Sequence, residues 1–565
     1  MRATSSCTAC RLRKKKCIIP EWGQSCKLCV SRRLECNLAK VPSGSDRGAP
    51  LDHLDGLIPS CPGEPSAEPS STLLDGTGVS SRVTQDGLPA TVCDDLVDLY
   101  FDLIHDKQHI LFHRDSFIAD QRAGRAPSFL VLGMIALAAR FSSNPYFQNT
   151  RPWDRAKSWY QKAMSAFNSR SVLIDIPSLQ GSVLLGFVAF VEGDNDQDAL
   201  LSAQAICMVQ MLRLPVCLSS DPIQREVEIR LFWQCWMMDA WHTSRLQLPR
   251  RLNDSNFKRP LEECAFNAMQ PGDPASHLSE ADIESLGLRK SGLWSSMLAL
   301  TEIHNQVVLL NDQIVQKSIP YPAVRRRVAE LSIKLDLWLG DLPSHLLNTV
   351  DNRESHAKSG LGREFAILHL LYHHQAQLLY YQFLNKGSTS TGADIDHEAV
   401  QYAGQCKAHA AALSKIMWDT NSTPGMECLW SPVNGHLLVV SSSIHLHTLL
   451  FSNDDTEITK ARMLLEQNFI ILLHLQKYWP FIEFSMSRLR AFHQVCQMNA
   501  TEKNFDMDRW MIKFLNRYGS RVQDRYSEFG PDLDESDPIV GTPAAAALWK
   551  EISGSEFRQL LTESQ

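Results

Sequence analysis

From about Leu88 to about residue 520, apolar and polar positions recur in long segments with the 3.6-residue period of amphipathic helices. The clearest case is Ile229, Phe232, Trp233, Trp236, Met237 and Ala240. Their i, i+3, i+4, i+7, i+8 spacing sets them on one wide helix face. Strand alternation with hairpin turns is not evident at scale, so the pattern predicts an all-α body. Breaks near 270–280, 346–362, 386–394 and 420–428 divide helical runs without marking independent domains. Such a stretch is long enough to bury a large core.

The pattern fails on both flanks. Residues 41–90 hold seven Pro, seven Gly and eight Ser. That composition buries too little apolar surface to offset its ordering entropy, so a disordered linker is expected, and it carries no heptad repeat. Residues 524–565 hold nine Asp/Glu against three Lys/Arg, interspersed with Tyr526, Phe529, Leu533, Trp549 and Phe557. This is the composition of flexible activation segments that fold onto coactivators. The alternative is a plain acidic tail in which Ala544 to Leu561 dock as a terminal helix. The expected organisation is a cysteine-rich head at 1–40, a linker at 41–89, a helical body at 90–523 and an acidic tail at 524–565.

Charge changes the picture of the head. Residues 1–40 carry ten Lys/Arg against Glu21 and Glu35, a balance of +8 in a chain whose formal net charge is −7. A compact cationic head on an acidic body is the electrostatic footprint of binding to nucleic-acid phosphates. The same head reads Cys7-x2-Cys10-x6-Cys17-x8-Cys26-x2-Cys29-x6-Cys36, a C-x2-C-x6-C unit written twice. Zinc takes four tetrahedral ligands and favours soft thiolates. Two separate sites would need eight thiolates, whereas six close two zincs if two cysteines bridge. The spacing therefore predicts a binuclear zinc–thiolate cluster with two Zn2+ per chain. A secreted disulfide framework is not expected, because Met1 to Ser6 offer no apolar signal core. Between Cys10 and Cys17 stand Arg11, Leu12, Arg13, Lys14, Lys15 and Lys16, a cationic and helix-favouring spacer that also suits a nuclear import signal.

The stretches Ser6–Cys17 and Cys26–Cys36 resemble the fungal zinc binuclear cluster (Zn2Cys6) transcription factors. The resemblance implies that Cys7 and Cys26 bridge, that Cys10 and Cys17 complete the first zinc, and that Cys29 and Cys36 complete the second. It also implies a first helix aimed into the major groove of double-stranded DNA at CGG-type triplets. Arg13 and Lys14 would reach base edges there, and Arg11, Lys15 and Lys16 would reach phosphates. Arg and Lys donors suit guanine O6 and N7. The loop Ile18–Ser25 departs from many members in being longer, with Pro20 placed early; Trp22 within it is read as a packing lid. The coiled coil that often pairs subunits in this family is missing, which leaves a homodimer or heterodimer through the large body, or a monomer, open.

The body resembles the fungal-specific transcription factor domain, or middle homology region, over roughly residues 90–390. The matching pieces are Tyr100-Phe101 through His113–Phe117, then Leu137–Ser142, then Arg230–Trp233 followed by Asp239, Ser244 and Pro249-Arg250, and finally Leu368–His373. In that family the region is regulatory, and in some members it senses small molecules. The implied protein is a nuclear, sequence-specific regulator of RNA polymerase II genes, an activator of a metabolic or secondary-metabolite gene cluster. A ligand-regulated repressor or metabolite sensor is the alternative.

Catalytic and metal patterns in the body fail on inspection, so no enzyme and no cofactor besides zinc is expected. His105, His109 and His113 recur every four residues and could line a helix face as ligands, but no Cys, Asp or Glu completes a tight set. His369 and His373 have zincin spacing with Leu370 where the Glu belongs. Asp194, Asp196 and Asp198 begin like a calcium loop, but Ala199 and Ala205 replace its Gly and Glu. No run of 18 or more apolar residues appears, so no membrane span is expected and the chain is read as soluble.

Overall fold

Helix boundaries follow local chemistry. The computed structural model describes residues 87–170, 173–246, 249–253, 255–387, 396–427, 431–500 and 509–516. Among them regular structure is helical, with an isolated bridge between His105 and His109. The first half comprises α1 (Ala90–Leu103), α2 (Arg114–Arg122), α3 (Ser128–Ala138), α4 (Lys157–Asn168), α5 (Ile176–Glu192), α6 (Asn195–Met211) and α7 (Pro222–Leu246). Asp175 starts α5 by accepting from Ser178 N at 2.8 Å. Gly193 stops it in the left-handed region at φ 83°, which a side chain would strain. Asp194 then caps α6 by accepting from Gln197 N at 3.1 Å, and the two helices fold back as a hairpin.

The second half comprises α8 (Glu263–Asn267), α9 (Glu280–Ser285), α10 (Leu293–Val315), α11 (Tyr321–Gly340), α12 (Val350–Lys358), α13 (Gly362–Tyr380), α14 (His397–Asn421), α15 (Val433–Phe451), α16 (Asp455–Gln476), α17 (Ile482–Ala500) and α18 (Arg509–Asn516). Helix α13 lies among α10, α11, α12, α14 and α15 and is buried along almost its whole length. One continuous apolar core joins residues from Leu88 to Leu515, so the two halves share a single interior.

The all-α expectation holds for the body, with two corrections. The break expected at 346–362 contains α12, whose Thr349 cap accepts from Asn352 N at 3.2 Å. None of its side chains is buried, so it has no apolar stripe from which periodicity could reveal it. The six-residue apolar face lies on α7 and is buried as expected, but α7 has no solvent face in that stretch. Arg230, Leu231, Gln234 and Cys235 are buried too. Arg230 survives there because it donates to the Leu261 carbonyl at 2.9 Å, sits 3.5 Å from Glu226 and stacks on Phe266. The head, the linker apart from residues 87–89, and the acidic tail lie outside the described residues.

Candidate functional site

The zinc ligands Cys7, Cys10, Cys17, Cys26, Cys29 and Cys36 and the DNA-contact residues Arg11, Arg13, Lys14, Lys15 and Lys16 all lie outside the described residues. The site that can be built atom by atom is in the body.

The segment carrying His105, His109 and His113 is a loop between α1 and α2, not a helix face, and Asp106 turns it with φ 62°. All three rings are buried. His105 accepts from Phe112 N at 3.0 Å through Nε2, and its Nδ1 lies 3.2 Å from Asp106. His113 caps α2 beside Ser116. His109 Nε2 lies 2.5 Å from the Tyr100 hydroxyl, while its Nδ1 has no hydrogen-bond partner. On α13, His369 donates to the Leu346 carbonyl at 3.0 Å and His373 Nδ1 meets His409 Nδ1 at 2.9 Å. Asp194 serves as the α6 cap and Asp198 is buried one turn on. Among the described residues, no group of three or more His, Cys, Asp or Glu is placed to hold a metal ion.

Around this loop, α5, α6, α7, α10, α13 and α15 line a partly open cavity of about 150 Å³. Its walls are apolar: Val183, Phe187, Met237, Met238, Trp241 and Met297. Charged groups at its edge come in closed pairs. Lys107 Nζ lies 3.0 Å from Glu364 Oε1, with both side chains buried, and also donates to the Phe101 carbonyl at 3.3 Å. Burial pushes the Glu364 carboxyl up, and Lys107 partly offsets this. Across the cavity Arg245 donates to Asp198, and to Asn195 at 2.7 Å, and lies over the Phe190 ring. His242 Nε2 is 3.3 Å from Asp198 Oδ2, and its Nδ1 has no hydrogen-bond partner. Burial pushes the His242 imidazole down to about 4 and that of His109 well below its ordinary value, so both are neutral at pH 7.

Sequence reasoning treated the Met and Trp residues here as core, because helical spacing does not tell a filled interior from a lined cavity. The family-like Asp239 has a structural role in the same helix. Its carboxylate accepts from Arg251 N at 2.7 Å and Leu252 N at 2.8 Å, fixing the chain after α7.

Residues 97–340 match the fungal specific transcription factor domain, from within α1 to the last residue of α11. The segment Leu368–His373 therefore falls beyond the match, on α13. Over 515 residues the chain is 23% identical to a Zn(2)-C6 fungal-type transcription factor of Fusarium oxysporum f. sp. lycopersici, covering 86% of this chain and 54% of that protein. An uncharacterized transcriptional regulatory protein of Schizosaccharomyces pombe is 25% identical over 438 residues, covering 71% of this chain and 52% of that one. The chain thus spans about half the length of the curated relatives it matches. No solved structure matches it.

Proposed function

We propose that this chain, whose residues 97–340 match the fungal specific transcription factor domain, is a nuclear, sequence-specific DNA-binding regulator of RNA polymerase II genes. The observation that carries the reading is the doubled C-x2-C-x6-C unit with a cationic spacer, standing ahead of a helical body that matches this domain. The six thiolates hold two Zn2+, with Cys7 and Cys26 bridging. Such a cluster clamps the short spacer, so that Arg13 and Lys14 meet base edges while Arg11, Lys15 and Lys16 meet phosphates. Phosphate contacts give salt-dependent affinity, and each good base contact gives about 1–3 kcal/mol of discrimination. One triplet is too little for genomic selectivity, so a second half-site, and with it a second copy or a partner subunit, is part of the reading. The acidic segment 524–565 supplies a surface for a coactivator, in keeping with an activator of a metabolic gene cluster.

Two measurements on the full chain test this. Zinc content under native conditions should be two per chain; one per chain sinks the bridged cluster. Lys14→Ala should lose its preference for CGG-type sites by roughly 5- to 150-fold while keeping salt-dependent binding to unrelated duplexes. If that variant reads the site as selectively as the parent, the assigned reading helix is wrong.

A further inference from the structure

We propose that the outward face of α6 is a self-complementary contact through which two copies of this chain pair, their α6 helices crossing antiparallel. The pairing deepens the proposed function and rests on it for its purpose, a second copy on a second half-site. The contact itself forms without DNA.

Helix α6 carries apolar residues on both sides although only one side is covered. Leu201, Ala205, Ile206, Met208 and Val209 are buried where the helix packs on α5 and α7. A helix apolar all round is normally buried all round. Yet Leu200 is 65% exposed and Met211 58%, Cys207 lies exposed between them, and Val216 just past the helix is 70% exposed. At 3.6 residues per turn Asp196, Leu200, Cys207 and Met211 fall in one stripe, with Ala203 and Gln204 along its margins. Leu200 and Met211 stand about 16 Å apart along the axis. The exposed apolar residues of α11 lack this continuity, because Ile333 and Leu337 stand among the exposed Glu330, Lys334 and Asp336.

Charge selects the occupant. Asp196 begins the stripe and Arg213 follows its end; both are exposed, and neither makes a salt bridge among the described residues. Between them the one charged residue, Asp198, is buried and bound by Arg245. A two-fold contact must match itself after reversal. Reversed about a point near residue 205, the stripe does so: Asp196 falls opposite Arg213, Leu200 opposite Met211 and Ala203 opposite Cys207. A parallel pair would instead set Asp196 against its own copy and Arg213 against its own, and like charges repel. Antiparallel crossing also sets the negative end of one helix dipole beside the positive end of the other.

The small Ala203 near the centre lets the axes approach to about 8 Å. A stripe on one helix covers less than the about 800 Å² per partner of a standard interface, so association lies in the micromolar range. Two heads on neighbouring half-sites raise the local concentration and complete the pairing.

Sedimentation equilibrium of the full chain without DNA, from about 1 to 100 µM, tests this. The parent should follow a monomer–dimer equilibrium with Kd on the order of 10 µM. Leu200→Glu/Met211→Glu should remain monomeric throughout, with circular dichroism unchanged because both positions are exposed. Asp196→Arg alone and Arg213→Asp alone should each weaken pairing about tenfold by setting like charges opposite. Combining them should return Kd to within about threefold of the parent, because opposite signs meet again. A parallel pair would show no such recovery. The proposal is overturned if the parent stays monomeric at about 100 µM, if Leu200→Glu/Met211→Glu pairs as well as the parent, or if the double charge exchange pairs no better than either single one. DNA reading is measured separately through Lys14→Ala, so a monomeric parent that still reads its site removes this inference alone.

Discussion

Replacing Lys107 by methionine leaves the Glu364 carboxylate buried against the loop that joins α1 to α2, with its ion-pair partner gone. In the parent the two charges are 3.0 Å apart and both side chains are buried. The pair links a loop near the start of the body to a helix more than two hundred residues away. Breaking a buried pair from one side costs about 3–5 kcal/mol, because the survivor keeps its desolvation penalty and loses its compensation. Methionine retains most of the lysine stem, so packing contributes little to that figure. The cost is also pH-dependent. Glu364 already titrates above its ordinary value of 4.5 through burial, and losing Lys107 raises it further. A raised folded-state value means that the folded form holds the proton more tightly than the unfolded one. Stability from this group is therefore full below about 4.5 and is lost as pH rises, by about 1.4 kcal/mol per unit up to the folded value. Urea unfolding of the full chain, followed by tryptophan fluorescence at pH 5, 6, 7 and 8, measures both magnitude and slope. Lys107→Met should lie close to the parent at pH 5 and fall away progressively by pH 8. The double variant Lys107→Met/Glu364→Met should recover to within about 1 kcal/mol at every pH. A loss below about 1 kcal/mol at pH 8, or a loss equal at all four values, refutes the reasoning.

Glu263 accepts from the N–H groups of Leu293 and Trp294, both at 2.9 Å, at the start of α10. Burial nevertheless raises its carboxyl to about 7, partly offset by Arg230 and those amides. Relative to Glu263→Gln the parent should lose about 3 kcal/mol between pH 4.5 and 7, and equal slopes in calorimetric melts would contradict this. The histidines act in the opposite sense: burial depresses His373, His374 and His445 to about 3 and His304 to about 4. Their contribution is complete above about 6.5 and is lost as pH falls, so the melting temperature should drop steadily below that value with uptake of several protons. Gly362 has no room for a Cβ, which would lie 2.7 Å from the Gly425 carbonyl oxygen and 2.9 Å from Ala357 Cα. Backbone atoms cannot swing aside, so Gly362→Ala should destabilise by about 1–3 kcal/mol in urea titrations. Cys7→Ser or Cys26→Ser should release both zincs in mass spectrometry, whereas Cys36→Ser should spare one.

The sequence by itself determined what repeats locally. Helical periodicity from Leu88 onward and the α7 apolar face both rest on residues a few positions apart, where spacing and geometry are nearly the same thing. It could not reveal α12, because a helix with no fully buried side chain has no apolar stripe to detect. It also read a four-residue histidine spacing as a possible helix face, although a left-handed Asp106 bends that segment into a loop. Tertiary structure alone decided the rest. The Lys107–Glu364 pair, the Asp198–Arg245–His242 group and the cavity between them join residues from distant parts of the chain. No local pattern encodes such pairings, because burial and charge compensation depend on which helices meet, and only the assembled core fixes that.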